Sequence, residues 1–225
     1  MTNPIKAGRA VAALLLVQMF LSPVVNFALL QPMFKPPGFL EQAPAHATTV
    51  AVAALLGIGT GVISLAIAIT AWPVFRRQSE ALALAFFAAG IAGLVASFIE
   101  QSHLLSMLSL AKTYAAANGA DAEIFRRIAA EASASRYTAH LVGLAGGGVL
   151  ALVLYGGSFR FALVPRWLAG AGIVAALLEM ITVALPFFGQ AIVFPLLAPL
   201  GLCHAVLMIW LFVRGFAERP PAPDA

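Results

Sequence analysis

Glu100 and His103 stand one helical turn apart in "SFIEQSHLLSM", residues 97–107, a carboxylate and an imidazole inside an otherwise apolar run. Side chains three apart share a helix face, so one cation or one polar ligand can meet both. A Glu-x-x-His pair of this kind forms one half of a di-metal carboxylate site. The motif occurs once in this sequence, which does not supply a full di-iron set. A mononuclear centre built from Glu100, His103 and His140 would suit a divalent metal, zinc or iron, by ligand type. Three histidines on three apolar runs, His103, His140 and His204, also permit haem ligation.

Two more groups belong with these. Glu179 and His204 are titratable residues inside apolar runs, and Asn26 is a neutral companion. Such groups are costly at membrane depth and face a partner or a wet cavity. At about 1.5 Å of rise per residue, Asn26 lies about 25 Å above Arg9, His140 about 6 Å below Arg136, Glu179 about 18 Å above Trp167 and His204 about 15 Å above Arg214. That places Asn26 and His140 in the outer leaflet, with Glu179 and His204 near mid-membrane. Two readings stand open. In one, Glu100 meets His140 and Glu179 meets His204, each acid neutralised by a hydrogen-bonded imidazole. In the other, Glu100, His103 and His140 line an outward-facing polar recess that holds a metal or small ligand, with Glu179 and His204 deeper.

The elements that carry these residues are membrane helices. The 225-residue chain is 62% apolar and only 10% charged, far outside the range of soluble domains. Six stretches are long enough to cross a bilayer, near 9–30, 49–72, 81–112, 136–157, 166–187 and 191–214. They predict an all-α bundle of six transmembrane helices in one domain spanning 1–225. Lys6 and Arg9 ahead of "AVAALLLVQMFL" imitate a secretory signal, but the apolar run continues to Leu30 without a small-x-small cleavage site, so it reads as a span.

Lys6, Arg9, Arg76, Arg77, Arg160, Arg166, Arg214 and Arg219 fall on one side of these spans. Lys35, Lys112, Arg126, Arg127 and Arg136 fall on the other, mixed with Glu41, Asp121, Glu123 and Glu131. The bias predicts that both termini are cytoplasmic. "QPMFKPPGFLEQAPAHAT" reads as irregular, and "DAEIFRRIAAEASAS" as a short interfacial helix, either resting on the headgroups or forming a lid over an outward-facing cavity. Gly57, Gly59 and Gly61, and Gly143, Gly146, Gly147 and Gly148, read as close helix contacts. The sixth span, with Pro195 and Pro199, reads as interrupted; no second such span pairs with it, which argues against a transporter built on repeats.

Other chemistries find little support. The single cysteine, Cys203, provides no disulfide or thiolate cluster and reads as a small buried residue. There is no G-x-S-x-G elbow, and "GLAGGG" lies inside a span with no preceding strand. The formal charge of +4 comes from scattered residues, so no nucleic-acid partner is expected.

From "AWPVFRRQSEALALAFFAAG" through "HLVGLAGGGVLALVLYGGSFRFALVPRWLAGAGIVAALLEM" to "APLGLCHAVLMIWLFVRGF", the chain resembles the bacterial integral-membrane family named domain of unknown function 4386. The resemblance implies six transmembrane helices in a bacterial cytoplasmic (inner) membrane. It also implies an acid near Glu179 and a second acid where this chain has His204, a departure that bears on any acid chemistry there. Three functions are carried forward. The chain is a membrane protein, enzyme or not, that binds a small ligand or metal, a non-catalytic module that stabilises or regulates a membrane-protein partner, or a haem-binding membrane protein.

Overall fold

The structure, a computed structural model, describes residues 3–117 and 121–217. Arg219 and residues 118–120 of the outer segment lie outside the described residues. Among the described residues seven α-helices occur: α1 (Pro4–Pro23), α2 (Phe39–Gln42), α3 (Ala47–Arg76), α4 (Glu80–Ala116), α5 (Ala122–Arg160), α6 (Arg166–Ala184) and α7 (Ala198–Val213). No strand occurs among the described residues. All but α2 belong to six segments long and apolar enough to cross a membrane. The chain is an all-α, multi-pass membrane protein.

Each spanning helix packs on its neighbours in chain order, α1 on α3, α3 on α4, α4 on α5, α5 on α6 and α6 on α7, and α7 returns to α1. The result is a closed ring of six. Its outer surface is apolar, with Phe20, Leu55, Leu84, Val142 and Leu202 among the exposed side chains. That is the surface expected where hydrocarbon rather than water is the solvent.

At one end of the ring α1 begins, α3 turns into α4, α5 turns into α6, and α7 finishes. Arg9 Nε donates to the Phe212 carbonyl at 3.1 Å and the Ala217 amide to the Leu163 carbonyl at 2.8 Å, which ties this basic end together. A large apolar cluster built around Val11, Phe75, Phe86, Tyr155, Leu168 and Leu207 fills it. The opposite, long-loop end has a separate cluster including Val25, Met33, Phe39, Val50, Leu104 and Leu108. The inner faces between the two clusters are polar.

Several local structures depart from the sequence reading. Pro23 has no amide hydrogen, and beyond it α1 continues as a π-helix over Val24–Leu30, which carries Asn26. The Pro-rich connection is partly regular: a 3-10 turn at Gln31–Phe34, then α2, entered through Gly38 at φ +113°, a left-handed value that favours glycine. Residues 121–135 do not form a separate interfacial helix. No Gly or Pro interrupts 122–142, so the Ala-rich segment runs straight into the span as one 39-residue α5. Phe125, Ala129 and Ala132 pack on the long-loop cluster.

The sixth span is interrupted, as its prolines imply. α7 starts only at Ala198, after a 3-10 turn at Phe194–Leu196. The preceding loop is held by buried Thr182, whose hydroxyl accepts the Val193 amide at 2.8 Å and donates to its carbonyl at 3.3 Å. One side chain thereby satisfies both backbone groups of a residue outside any helix.

Candidate functional site

The inner faces line a chamber of two adjoining lobes that share part of their wall, the first rich in polar and small residues and the second largely apolar. The first, about 190 Å³, is lined by Gln18, Ser22 and Asn26, by Gly57, Thr60 and Ser64 of α3, by Ser97, Glu100 and Gln101 of α4, by His140, Gly143, Gly146 and Gly147 of α5, and by Glu179 of α6. The second, about 300 Å³, shares Gln18, Ser22, Ser64, Gly147, Leu150 and Glu179 with the first and extends to Gly201 and His204 of α7. All six spanning helices contribute. Four of the six candidates, Asn26, Glu100, His140 and Glu179, line the first lobe. Glu179 and His204 line the second.

Helical spacing explains the lining. Gln18, Ser22 and Asn26 follow at steps of four; Gly57, Thr60, Gly61 and Ser64 at three or four; Gly93, Ser97, Glu100 and Gln101 likewise. Much of the wall's donor capacity is used within it. Gln18 Nε2 donates to Ser64 Oγ at 2.7 Å, Ser64 Oγ to the Thr60 carbonyl at 3.1 Å, and Thr60 Oγ1 to the Gly57 carbonyl at 2.6 Å. Asn26 Nδ2 donates to the Ser22 carbonyl at 3.0 Å. Gly57 is open because Gln101 lies across it: a β-carbon there would stand 2.5 Å from Gln101 Cδ. A β-carbon at Gly61 would stand 2.5 Å from Ser97 Oγ.

Glu100 anchors the long-loop end of the chamber. Its Oε1 accepts from Arg136 Nη2 at 3.1 Å and lies 3.1 Å from His140 Nδ1. The carboxylate and guanidinium side chains are 14% and 12% exposed, so both charges are largely removed from solvent and balance each other. Arg136 also lies under the Phe34 ring, 5.4 Å from its centroid, and Phe34 stacks on Phe39. The 31–42 connection covers the pair. The Glu100–His140 contact matches the neutralised-acid reading, but Arg136 supplies the permanent charge. The sequence signal was its position one turn before His140 on the same face.

His103 is elsewhere. It lines a groove of about 740 Å³ on the outside of the α4–α5 seam, with Ala92, Val95, Ala96, Ile99, Glu131 and Thr138. A three-residue step turns a helix by about 300°, and the remaining 60° carries His103 past the seam that Glu100 faces. The expected Glu100–His103–His140 metal set is therefore not assembled: no group of three His, Cys, Asp or Glu side chains placed to hold a metal ion occurs among the described residues. The histidines expected for haem occupy three different surroundings, His103 in the groove, His140 on Glu100 and His204 beside the Tyr155 ring at 5.6 Å between centroids.

Glu179 and His204 share a lobe but are not paired. No hydrogen bond joins them among the described residues, and Glu179 Oε2 is buried without any partner. Glu179 lines both lobes, whereas His204 lines only the second and lies beside the Tyr155 ring. The expected glycine contacts also divide. Gly148 packs on Met180 Cγ and Gly143 reaches Ala96, whereas Gly146 and Gly147 meet nothing within 4 Å and leave room for the chamber. Cys203, beside His204, is free and partly buried.

No curated protein and no solved structure matches this chain. The model of one family, described as Domain of unknown function (DUF4386), matches it over residues 11–215, which is most of its length. The chain, a ring of six membrane helices around a polar chamber, belongs to that family.

Proposed function

We propose that this protein binds a small polar molecule inside the membrane, in the chamber at the centre of its helix ring. The observation that carries the reading is that the six spanning helices together contribute polar or small residues to two adjoining lobes while the outer surface is apolar. Polar groups at membrane depth are costly, and a register lock needs one or two pairs rather than a continuous lining. Gly146 and Gly147 support the same reading, since larger residues there would fill the space. The basic residues gathered at one end, Lys6, Arg9, Arg76, Arg77, Arg160, Arg166 and Arg214, favour a cytoplasmic location for both termini in a bacterial inner membrane.

Filling the chamber tests the function. Gly146→Leu and Gly147→Leu, separately, are compared with the native chain by native mass spectrometry for a retained small molecule. Loss of that molecule from folded variants is the expected result. Equal retention overturns the reading in favour of a module that acts only by contacting a partner protein. Stoichiometric metal or a haem absorption band in the same sample overturns it in favour of those cofactors. For orientation, cysteines placed at Arg77 and Glu123 in a Cys203→Ser background are expected to label from the cytoplasm and the exterior, respectively. The reverse pattern overturns the assignment.

A further inference from the structure

The chamber's unpartnered groups identify the chemistry it would accept. Two of its lining side chains, Glu179 and Gln101, each present a buried oxygen with no hydrogen-bond partner, Oε2 and Oε1 respectively. Gln101 is only 4% exposed, so water outside the bundle does not serve it. Both atoms are acceptors. The donors of Gln18, Ser64, Thr60 and Asn26 are meanwhile turned onto the wall itself. A complementary occupant brings donors.

Charge gives the same answer. Glu100 is matched by Arg136 and lies 3.1 Å from His140 Nδ1. Glu179 is left as the one acid of the chamber without a basic partner among the described residues. An uncompensated carboxylate in a low-dielectric interior requires a cation or a proton.

Shape adds the rest. Glu179 lines both lobes, and the second is otherwise lined largely by Leu15, Ile67, Phe86, Leu154 and Leu200. Its volume of about 300 Å³ suits an apolar body of several heavy atoms. We propose that the chamber is a site for a small organic amine carrying one positive charge, its ammonium on Glu179 and its apolar body in the lobe that leads to His204. The inference rests on the ligand-binding reading above and specifies its ligand class.

The test uses the full chain in nanodiscs, titrated at neutral pH with benzylamine, benzyl alcohol and benzoate, which share a body and differ in charge. Benzylammonium is expected to bind saturably at one per chain, and the neutral and anionic probes at least tenfold more weakly. Glu179→Gln removes a charge-assisted hydrogen bond and should weaken benzylammonium by about 10- to 100-fold. Glu179→Asp, which keeps the charge, should retain measurable preference for the amine. His103→Ala, in the outer groove, should bind as the native chain does. Equal binding of all three probes overturns the amine assignment while leaving a ligand chamber. Saturable amine binding that is unchanged in a folded Glu179→Gln overturns the role of Glu179. Failure of every probe to bind the native chain overturns the amine assignment, and the chamber-filling variants then judge the broader function separately.

Discussion

Removing the two halves of the Glu100–Arg136 pair should have unequal costs. Glu100→Leu strands a guanidinium that keeps its charge under all ordinary conditions, held at 12% exposure beneath Phe34. Breaking a buried pair so that one charge remains costs about 3–5 kcal/mol. Arg136→Met strands a carboxyl instead, which can bind a proton and still share a hydrogen bond with His140 Nδ1, 3.1 Å away. Its cost is then that of a lost charged hydrogen bond and the ring contact, about 1–3 kcal/mol, with the methionine stem retaining the packing. The double variant removes both charges and should fall within about 1 kcal/mol of the native chain. For a chain of this length each kcal/mol moves the midpoint by about 2–4 °C. Expected losses are therefore about 6–20 °C for Glu100→Leu, about 2–12 °C for Arg136→Met and about 4 °C or less for the double variant. The lone, partly buried Cys203 provides the assay, because a thiol-reactive dye reports its exposure during heating. An Arg136→Met chain less stable than Glu100→Leu, or losses that simply add in the double variant, would refute the reasoning.

Two other substitutions probe how the ring is held. Thr182→Val takes away both hydrogen bonds to Val193 and leaves its backbone amide without that partner, at a cost of about 2–4 kcal/mol; Thr182→Ser should recover most of it in the same thermal assay. Gly57→Ala drives a β-carbon against Gln101 Cδ and should destabilise by about 1–3 kcal/mol, whereas adding Gln101→Ala should relieve the clash. If the double variant melts no higher than Gly57→Ala alone, the close approach at Gly57 is not what limits that position.

The six spans were legible because a bilayer imposes a length and a composition on each crossing, and both can be read without knowing any contact. Their ends were less legible. A charge normally marks the membrane surface and so puts the start of the fourth span at Arg136, yet helical backbone continues back to Ala122 and the charge turns inward onto Glu100. Titratable residues inside apolar runs mark a site by their cost, whereas Gln18, Thr60, Ser64, Ser97 and Gln101 are neutral and of kinds that membrane helices use to pack on one another. Only the ring, which turns one face of each helix toward a common axis, makes those neutral groups part of one lining. Glu100 and His140 could be matched from height, since α4 and α5 are neighbours. Glu179 and His204 sit on the equally adjacent α6 and α7 and do not meet, because the imidazole lies beside Tyr155, which height along a helix does not report.

Two acids face the same chamber, and the fold treats them differently. Glu100 is matched by a guanidinium and an imidazole, so its removal should harm the bundle. Glu179 has a buried oxygen and no partner, so nothing in the described fold is lost when its carboxyl goes. A buried polar atom without a partner carries a desolvation cost of about 1–3 kcal/mol, and a flexible apolar side chain of similar length avoids it. Glu179→Met should therefore leave the thermal midpoint unchanged or raise it by up to about 10 °C, opposite in sign to Glu100→Leu. An unpaired acid at membrane depth marks a functional position, here the counter-charge of the proposed amine. The dye assay on ligand-free protein, run side by side for the two variants, decides the matter. If Glu179→Met melts as far below the native chain as Glu100→Leu does, Glu179 is a structural acid and its place in the chamber carries no functional meaning.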